Sequence, residues 1–225
     1  MRDAGSTLQG MPQPTRVRAE RVEVGRSRAA ILAAAEAYYS SHNADPTMSE
    51  LAVLAGVGNA TLYRRFPTIG DVIRALYARH VELLDELGTQ VFPQPTGWEG
   101  IEALVRGLAA LLLEHPAIMR VTRKMVEIEP AHVHGAQWDP QLRELADRAH
   151  AEGTLRADAD AYDVLFAAFR MGEYTYLPAD ARSRMVARQA SLVLDGLRAE
   201  CSRTPLGGVP IDTEEIRAYW RVPMP

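Results

Sequence analysis

Cysteine is nearly absent from this sequence, since Cys201 is the single one among 225 residues. One thiol cannot form a disulfide within the chain, and its surroundings match none of the cysteine spacings of zinc or redox motifs. This scarcity excludes a small secreted scaffold held by disulfides. It also suits a reducing compartment, and we expect a cytoplasmic protein.

Long apolar runs are absent as well. The longest strongly apolar run, at 108–113, covers about two helical turns, whereas a membrane-spanning helix needs roughly 20 residues. The first 24 residues hold arginines and prolines but no apolar segment of the kind found in signal peptides. We therefore expect no contact with a membrane.

Lysine is scarce, because Lys124 is the only one among 25 basic residues. Arginine can favour phosphate binding, although a compositional bias of the genome is the simpler interpretation. The net charge of −4 argues against binding nucleic acid by bulk positive charge. However, ten Arg against seven Asp or Glu give +3 through His80, and the remainder carries −7. The two parts are predicted to meet different partners.

No segment shows a sustained period of two, and apolar residues recur at helical spacing from Ser27 onward. The fold class is therefore predicted to be all-α. Asp160 and Asp180 are predicted to begin the last two long helices, at about 160–177 and 180–200. The predicted division is a flexible arm at 1–24, a small domain at 25–87, a larger helical domain at 88–203 and a tail at 204–225. Two prolines and a glycine within 91–97 mark the boundary between the domains.

Residues 47–67 read TMSELAVLAGVGNATLYRRFP, and this pattern predicts a helix-turn-helix. Thr47 and Glu50 form a capping box, and Gly56 permits the positive φ of a tight turn between two helices. Three apolar residues point into a shared core: Leu51, Val57 and Leu62. The outer face of the second helix, the part that enters a major groove, then holds Asn59, Ala60, Thr61, Tyr63 and Arg64.

The motif, together with ILAAAEAYYS before it and DVIRALYARHVELL after it, resembles the TetR family of transcriptional regulators. The resemblance covers residues 25 to about 87, with a weaker likeness in the ending LVLDGLRAE. It implies a homodimer that binds a palindromic operator in double-stranded DNA. A small-molecule inducer, whose identity the sequence does not give, would release a repressor of this kind from the operator.

By resemblance, the DNA contacts come from the start of the first helix, the motif and the start of the helix after the motif. They are Arg26, Arg28, Thr47, Met48, Asn59, Ala60, Thr61, Tyr63, Arg64 and Thr68. Alternatives stay open: Tyr63 as a packed core aromatic, Arg26 and Arg28 as solubilising charges, and Arg65 as a solvated charge. Two positions depart from the family pattern, since Gly58 offers no side-chain cap and Ile69 replaces a basic residue. The loss of that phosphate contact should weaken affinity without changing which bases are read.

The resemblance also places a ligand pocket and a dimer interface in the larger domain. The pocket candidates are Trp98, Leu108, Leu112, Met119, Met125, Trp138, Phe166, Arg170 and Tyr174. The interface candidates, on the last two helices, are Leu165, Phe169, Val186, Val193, Leu194 and Leu197. Both sets also fit an ordinary core within one protomer.

Other chemistry is weakly indicated. His132 and His134 form a His-x-His pair near Glu127, Glu129 and His150, which is more often chance than a metal site. No cofactor, metal or catalytic arrangement is predicted, and an enzyme is not expected. The main alternative function is a helical ligand- or protein-binding module whose DNA-binding motif is weak or inactive. Activation, or repression without an inducer, also stays open.

Overall fold

The computed structural model describes residues 14–130, 135–201 and 204–206. The described residues contain nine α-helices and no strand beyond an isolated bridge between Leu155 and Arg198, so the predicted all-α class is confirmed. The helices are α1 Pro14–Tyr39, α2 Met48–Ala55, α3 Asn59–Arg65, α4 Ile69–Val91, α5 Gly97–Glu114, α6 Ile118–Ile128, α7 Asp139–Ala151, α8 Ala161–Phe169 and α9 Ala179–Leu197. In the described parts of the chain, no helix has the length and apolar character needed to cross a membrane.

The first helix begins earlier than its apolar stripe suggests. The irregular arm predicted for 1–24 is wrong for 14–24, because α1 starts at Pro14. A proline suits the first turn of a helix, and the residues that follow are rich in arginine, glutamate and alanine, which are good helix formers. Residues 1–13 lie outside the described part of the chain.

The apolar side chains form two core clusters. The first unites α1 to α4 and holds buried residues such as Ile31, Leu51, Leu62 and Leu76. The second unites α5, α7, α8 and α9 with the C-terminal part of α4. The helix α4 thus belongs to both clusters, and it continues through Gly88 to Val91. The predicted boundary at residue 87 therefore falls inside a continuous helix.

Two predicted features of the last helices are wrong. The helix α8 ends at Phe169 and is followed by a 3-10 segment, Arg170–Tyr176, whereas one helix was predicted over about 160–177. The N-cap of α9 is Pro178, and Asp180 lies in its first turn. In the first case Gly172 sits against Leu112 and Met119 of the core, a place with little room for a side chain. Helix propensity is a property of single residues and does not predict such a tertiary contact.

The helices α5 and α7 cross at close range because α5 begins with glycine. A Cβ on Gly97 would lie 2.2 Å from the backbone nitrogen of Ala149, so any side chain there would force the two helices apart. The carboxylate of Glu152 accepts hydrogen bonds from the Gly97 amide, at 2.8 Å and 3.0 Å, and caps α5 from across the crossing. This crossing holds the start of α5 against the end of α7.

Candidate nucleic-acid interface and helical cavity

The helix-turn-helix is held by the features that the sequence predicted. Thr47 and Glu50 form a complete capping box, and the amide of Thr47 keeps the pKa of the Glu50 carboxyl below its usual range. Gly56 adopts a left-handed conformation, with φ 65° and ψ 30°, and its amide donates back to α2. Leu51 and Leu62 are fully buried between the two helices. The turn and the core therefore fix the angle at which α3 leaves α2.

The outer face of α3 is open to solvent. Asn59, Ala60 and Arg64 are exposed, and Thr61 is half-buried. The side chain of Tyr63 is 51% exposed, so the alternative of a packed core aromatic is wrong. An aromatic hydroxyl, an amide and a guanidinium on one short helix are groups that bind phosphates and base edges in a major groove.

Two further candidate contacts are the caps of helices. The hydroxyls of Thr47 and Thr68 each accept a hydrogen bond from the amide three residues on and donate to the carboxylate of that residue, Glu50 or Asp71. Their hydroxyls are therefore engaged in capping. Met48 is half-buried against the N-terminal core.

The two candidate arginines lie in the middle of α1 and differ in their surroundings. Arg26 is exposed. The guanidinium of Arg28 lies 5.5 Å from the centre of the Phe66 ring, a cation–π distance. Arg65 is half-buried and its Nε is 3.4 Å from the hydroxyl of Ser27 on α1, so it links α3 to α1. The interpretation of Arg65 as a simply solvated charge is wrong.

The helix α3 lacks a side-chain cap, as the sequence predicted. Gly58 occupies the N-cap with φ −69° and ψ 146°, and no side chain accepts from the first amides of α3. Only seven residues long, this helix depends on the burial of Leu62 and on its contacts with α1 and α2.

The helix α6 packs on the DNA-binding domain, although it lies within the predicted larger domain. Its N-cap Ala117 and its residue Val121 are fully buried in the first core cluster. The guanidinium of Arg120 donates to the carbonyl oxygens of Tyr39 and Ser40, at 2.9 Å and 2.8 Å, and to Asn43 Oδ1 at 2.8 Å. These bonds tie α6 to the C-terminal end of α1.

A second set of polar contacts supports the same junction. The Tyr39 hydroxyl donates to Asp45 at 2.9 Å, and burial raises the pKa of that tyrosine far above its usual value. Lys124 on α6 lies 3.5 Å from the same carboxylate. Arg74 on α4 pairs with Glu129, at 2.7 Å, just beyond the end of α6. A displacement of α6 would therefore disturb its contacts with both α1 and α4.

A small cavity of about 30 Å³ lies in the helical domain beside α4. Its walls come from α4, α5, α7, α8 and Trp138. The lining residues are Leu84, Leu87, Gly88, Val91, Phe92, Leu104, Leu108, Trp138, Leu142, Leu165 and Phe169. Four of these eleven residues belong to α4 and Phe92 follows it directly, and α4 begins just after the recognition helix α3.

Of the nine predicted pocket residues, Leu108 and Trp138 line this cavity. Trp98 packs under the guanidinium of Arg198, 4.3 Å from its ring centre, and Phe166 stacks on Tyr162. Arg170 is exposed at the C-terminal end of α8. The rest occupy other buried or half-buried places: Leu112, Met119, Met125 and Tyr174. The α4 residues were missed, although Leu84, Leu87 and Val91 continue the apolar stripe of that helix.

The predicted interface residues lie in the core of their own protomer. Val186, Leu194 and Leu197 are buried, and Leu165, Phe169 and Val193 pack against the same cluster. Leu165 and Phe169 also line the cavity. The stripe that the sequence reveals on α9 is therefore the inward one. The large apolar side chains that α9 exposes are Met185 and Leu192.

Among the described residues, no group of three or more His, Cys, Asp or Glu side chains is arranged to hold a metal ion. His132 and His134 lie outside those residues.

A capped helix-turn-helix with an exposed polar face on its second helix, mounted on a helical domain, defines a DNA-binding regulator. The family model of bacterial regulatory proteins of the TetR family matches residues 31–76. No curated protein sequence matches this chain. The matched segment, which runs from α1 into α4, is a TetR-family DNA-binding domain, and the chain as a whole is similar to TetR-family transcriptional regulators.

Solved structures agree with this assignment. A TetR transcriptional regulator from Streptomyces coelicolor is 29% identical with a TM-score of 0.53, over 76% of this chain and 98% of the other. A TetR regulatory protein from Mycobacterium vanbaalenii is 25% identical with a TM-score of 0.50, over 79% and 98%. The fold is also similar to that of CprB from Streptomyces coelicolor, solved with its operator, at 19% identity and a TM-score of 0.58, over 88% and 94%.

Proposed function

We propose that this regulator is a homodimeric repressor that binds a palindromic operator and is released from it by a small-molecule inducer, without catalytic activity of its own. The observation that carries the proposal is the solvent-open face of α3 on a fully packed helix-turn-helix. A recognition helix reads only a few base pairs, so a two-fold dimer doubles the contacts over two half-sites.

The contacts proposed on each half-site are made by the side chains that α3 exposes to solvent. Asn59 and Ala60 approach base edges, while Tyr63 and Arg64 bind phosphate oxygens along the groove. Thr61 is half-buried and lies at the margin of this face. The first amides of α2 and α4, beside Thr47 and Thr68, face the backbone as helix N-termini. Arg26 and Arg28 add phosphate contacts from α1.

The test is a gel-shift with the promoter DNA next to the protein's own gene, with unrelated DNA of the same length as control. Tyr63→Ala should weaken specific binding by about tenfold, the loss of one or two hydrogen-bonded contacts per dimer. Tyr63→Phe, which keeps the ring and loses the hydroxyl, should fall between this variant and the wild type. If the wild type gives no specific shift, the alternative of a helical binding module with an inactive motif is correct.

The dimer is proposed to form through α9. Met185 and Leu192 are 37% and 60% exposed and lie seven residues apart, two turns along one stripe of the helix. Apolar side chains repeated on one helical stripe are suited to a second copy of the same helix in a four-helix interface.

Leu192→Glu should convert the dimer to a monomer in light scattering coupled to size-exclusion chromatography, because two carboxylates would face each other across the two-fold axis. Leu206→Glu, an equal change at another exposed leucine, should leave the mass unchanged. A Leu192→Glu protein that stays dimeric would place the interface elsewhere.

A further inference from the structure

The cavity beside α4 differs from a typical ligand site in its almost wholly apolar wall. Apart from backbone atoms, the indole N–H of Trp138 is the one polar group that its lining side chains carry. We infer that the inducer of this regulator is an uncharged lipophilic molecule, an inference that rests on the proposed function. A charged side chain that could pair with a ligand headgroup is missing among these eleven residues.

The cavity favours apolar occupants for a physical reason. A space of about 30 Å³ admits roughly one water molecule, and a buried water needs two or more polar partners to be stable. Its leucine and phenylalanine walls offer none, whereas apolar voids of this kind take up apolar molecules. Filling it would gain dispersion contacts that the lining atoms now lack.

The indole N–H of Trp138 is already satisfied. It donates to Asp85 Oδ1 at 2.8 Å, and Asp85 is exposed on α4. Glu82 and Glu86 are exposed on the same helix and lie on the face opposite to its lining residues. On the α7 side, Arg143 is paired with Asp139 at 3.6 Å. A charged ligand of either sign would therefore find no partner among the lining side chains, and a ligand with one weak polar end would be tolerated at the Trp138 side.

Any drug-sized ligand must enlarge this cavity, since ligand sites usually measure about 300–1,000 Å³. Six lining side chains are only partly buried and can shift without opening the deepest core: Leu84, Leu87, Phe92, Trp138, Leu165 and Phe169. Leu84, Leu87 and Phe92 belong to α4 or follow it directly. Entry of a ligand would therefore displace side chains of α4, the helix that directly follows α3.

The test compares three probes with the same chain and different charge: 1-octanol, octylammonium and octanoate. Titration calorimetry on the full chain at neutral pH, without DNA, should give 1-octanol at least about tenfold tighter binding than either ion. The change in heat capacity on binding should be negative, because burial of apolar surface lowers the heat capacity. An ion that binds as tightly as 1-octanol, or the absence of any 1-octanol binding, would overturn the inference.

Variants locate the site. Leu165→Trp fills the cavity and should weaken 1-octanol binding at least about tenfold, with the milder Leu84→Phe as a second filling variant should the first not fold. Leu206→Trp, at an exposed leucine away from the cavity, should bind as the wild type does. Undiminished binding to a folded filling variant would place the site elsewhere.

A gel-shift with added 1-octanol separates the two proposals. Release of the promoter DNA supports both. Calorimetric binding without release supports the ligand class and counts against induced release. A protein that binds 1-octanol and never shifts the DNA leaves the ligand class standing while the proposed function fails.

Discussion

Glu36 and His80 form a buried polar pair between α1 and α4. His80 Nε2 lies 2.5 Å from Glu36 Oε2, and His80 is 1% exposed. Glu36 Oε1 and His80 Nδ1 have no hydrogen-bond partner, and His115 Nδ1 lies 3.7 Å from Glu36 Oε1. Unmade hydrogen bonds of buried groups cost free energy, so this pair is a site of low tolerance to change.

Removal of one partner should be more harmful than removal of both. His80→Leu leaves the Glu36 carboxylate facing an apolar side chain and should lower the free energy of unfolding by about 2–3 kcal/mol. Glu36→Leu combined with His80→Leu should recover part of that loss, because no buried charge is left. Urea denaturation of the four proteins of this double-mutant cycle measures the coupling. A double variant less stable than both single variants would contradict this account.

Asp158 anchors the segment after α9. Its carboxylate pairs with Arg156 at 2.6 Å and accepts the Leu206 amide at 2.7 Å, while Arg156 donates to the carbonyl oxygens of Gly196 and Thr204. The guanidinium of Arg156 holds the pKa of the Asp158 carboxyl well below its usual range. Residues 204–206 are thus fastened to the body of the helical domain.

This lowered pKa gives a pH dependence of definite sign. The carboxylate contributes stability at every pH above its unfolded pKa of about 4, and that contribution is lost as pH falls through the lower folded value. Asp158→Asn should therefore have a lower melting temperature than the wild type at pH 7. The difference should shrink only below about pH 4, as thermal melts at a series of pH values can show. A constant difference down to pH 2 would count against the carboxylate as its source.

At the scale of elements, α6 is the link between the two domains. Arg120→Ala removes three hydrogen bonds to the C-terminal end of α1 and should lower the free energy of unfolding by about 1–3 kcal/mol. Arg123→Ala, at an exposed arginine on the same helix, is the matched control and should change stability by less than about 0.5 kcal/mol. Chemical denaturation of both variants measures the difference. Equal stabilities of the two variants would show that the hydrogen bonds of Arg120 do not stabilise the contact between α6 and α1.

Elements defined by local signals could be predicted from the sequence. Thr47, Glu50 and Gly56 specify the helix-turn-helix through caps and a turn that depend on a few neighbouring residues. The end of α8 and the cavity wall depend on which helices pack together. The residues next to Gly172 and Leu84 in the sequence do not indicate which helices those are. The stripe on α9 was recognised, but a stripe of Val186 and Leu194 alone cannot tell a protomer core from a dimer interface.

At the scale of the whole molecule, charge is divided between the domains. The part through His80 is positive by three charges and the rest is negative by seven, so DNA attracts the first and repels the second. Binding should depend steeply on salt. Arg64→Gln should reduce the slope of log affinity against log salt by about one for each half-site, with sequence preference retained.

Arg184→Gln provides the control for this salt series. Arg184 is exposed on α9 and pairs only loosely with Asp180, at 3.4 Å. The same loss of charge on the helical domain should leave the slope unchanged. Equal slopes for Arg64→Gln and the wild type in fluorescence-anisotropy titrations would remove Arg64 from the phosphate contacts.

The continuity of α4 across both cores has a consequence for exchange of parts between related proteins. Each residue added to a helix rotates everything beyond it by about 100° and advances it by about 1.5 Å. One residue inserted near Arg79 would turn the cavity wall away from its partners while Val72 and Leu76 stayed in place. A chimera that joins this DNA-binding domain to another sensor must therefore preserve the number of residues between Thr68 and Phe92, or take the whole of α4 from one parent.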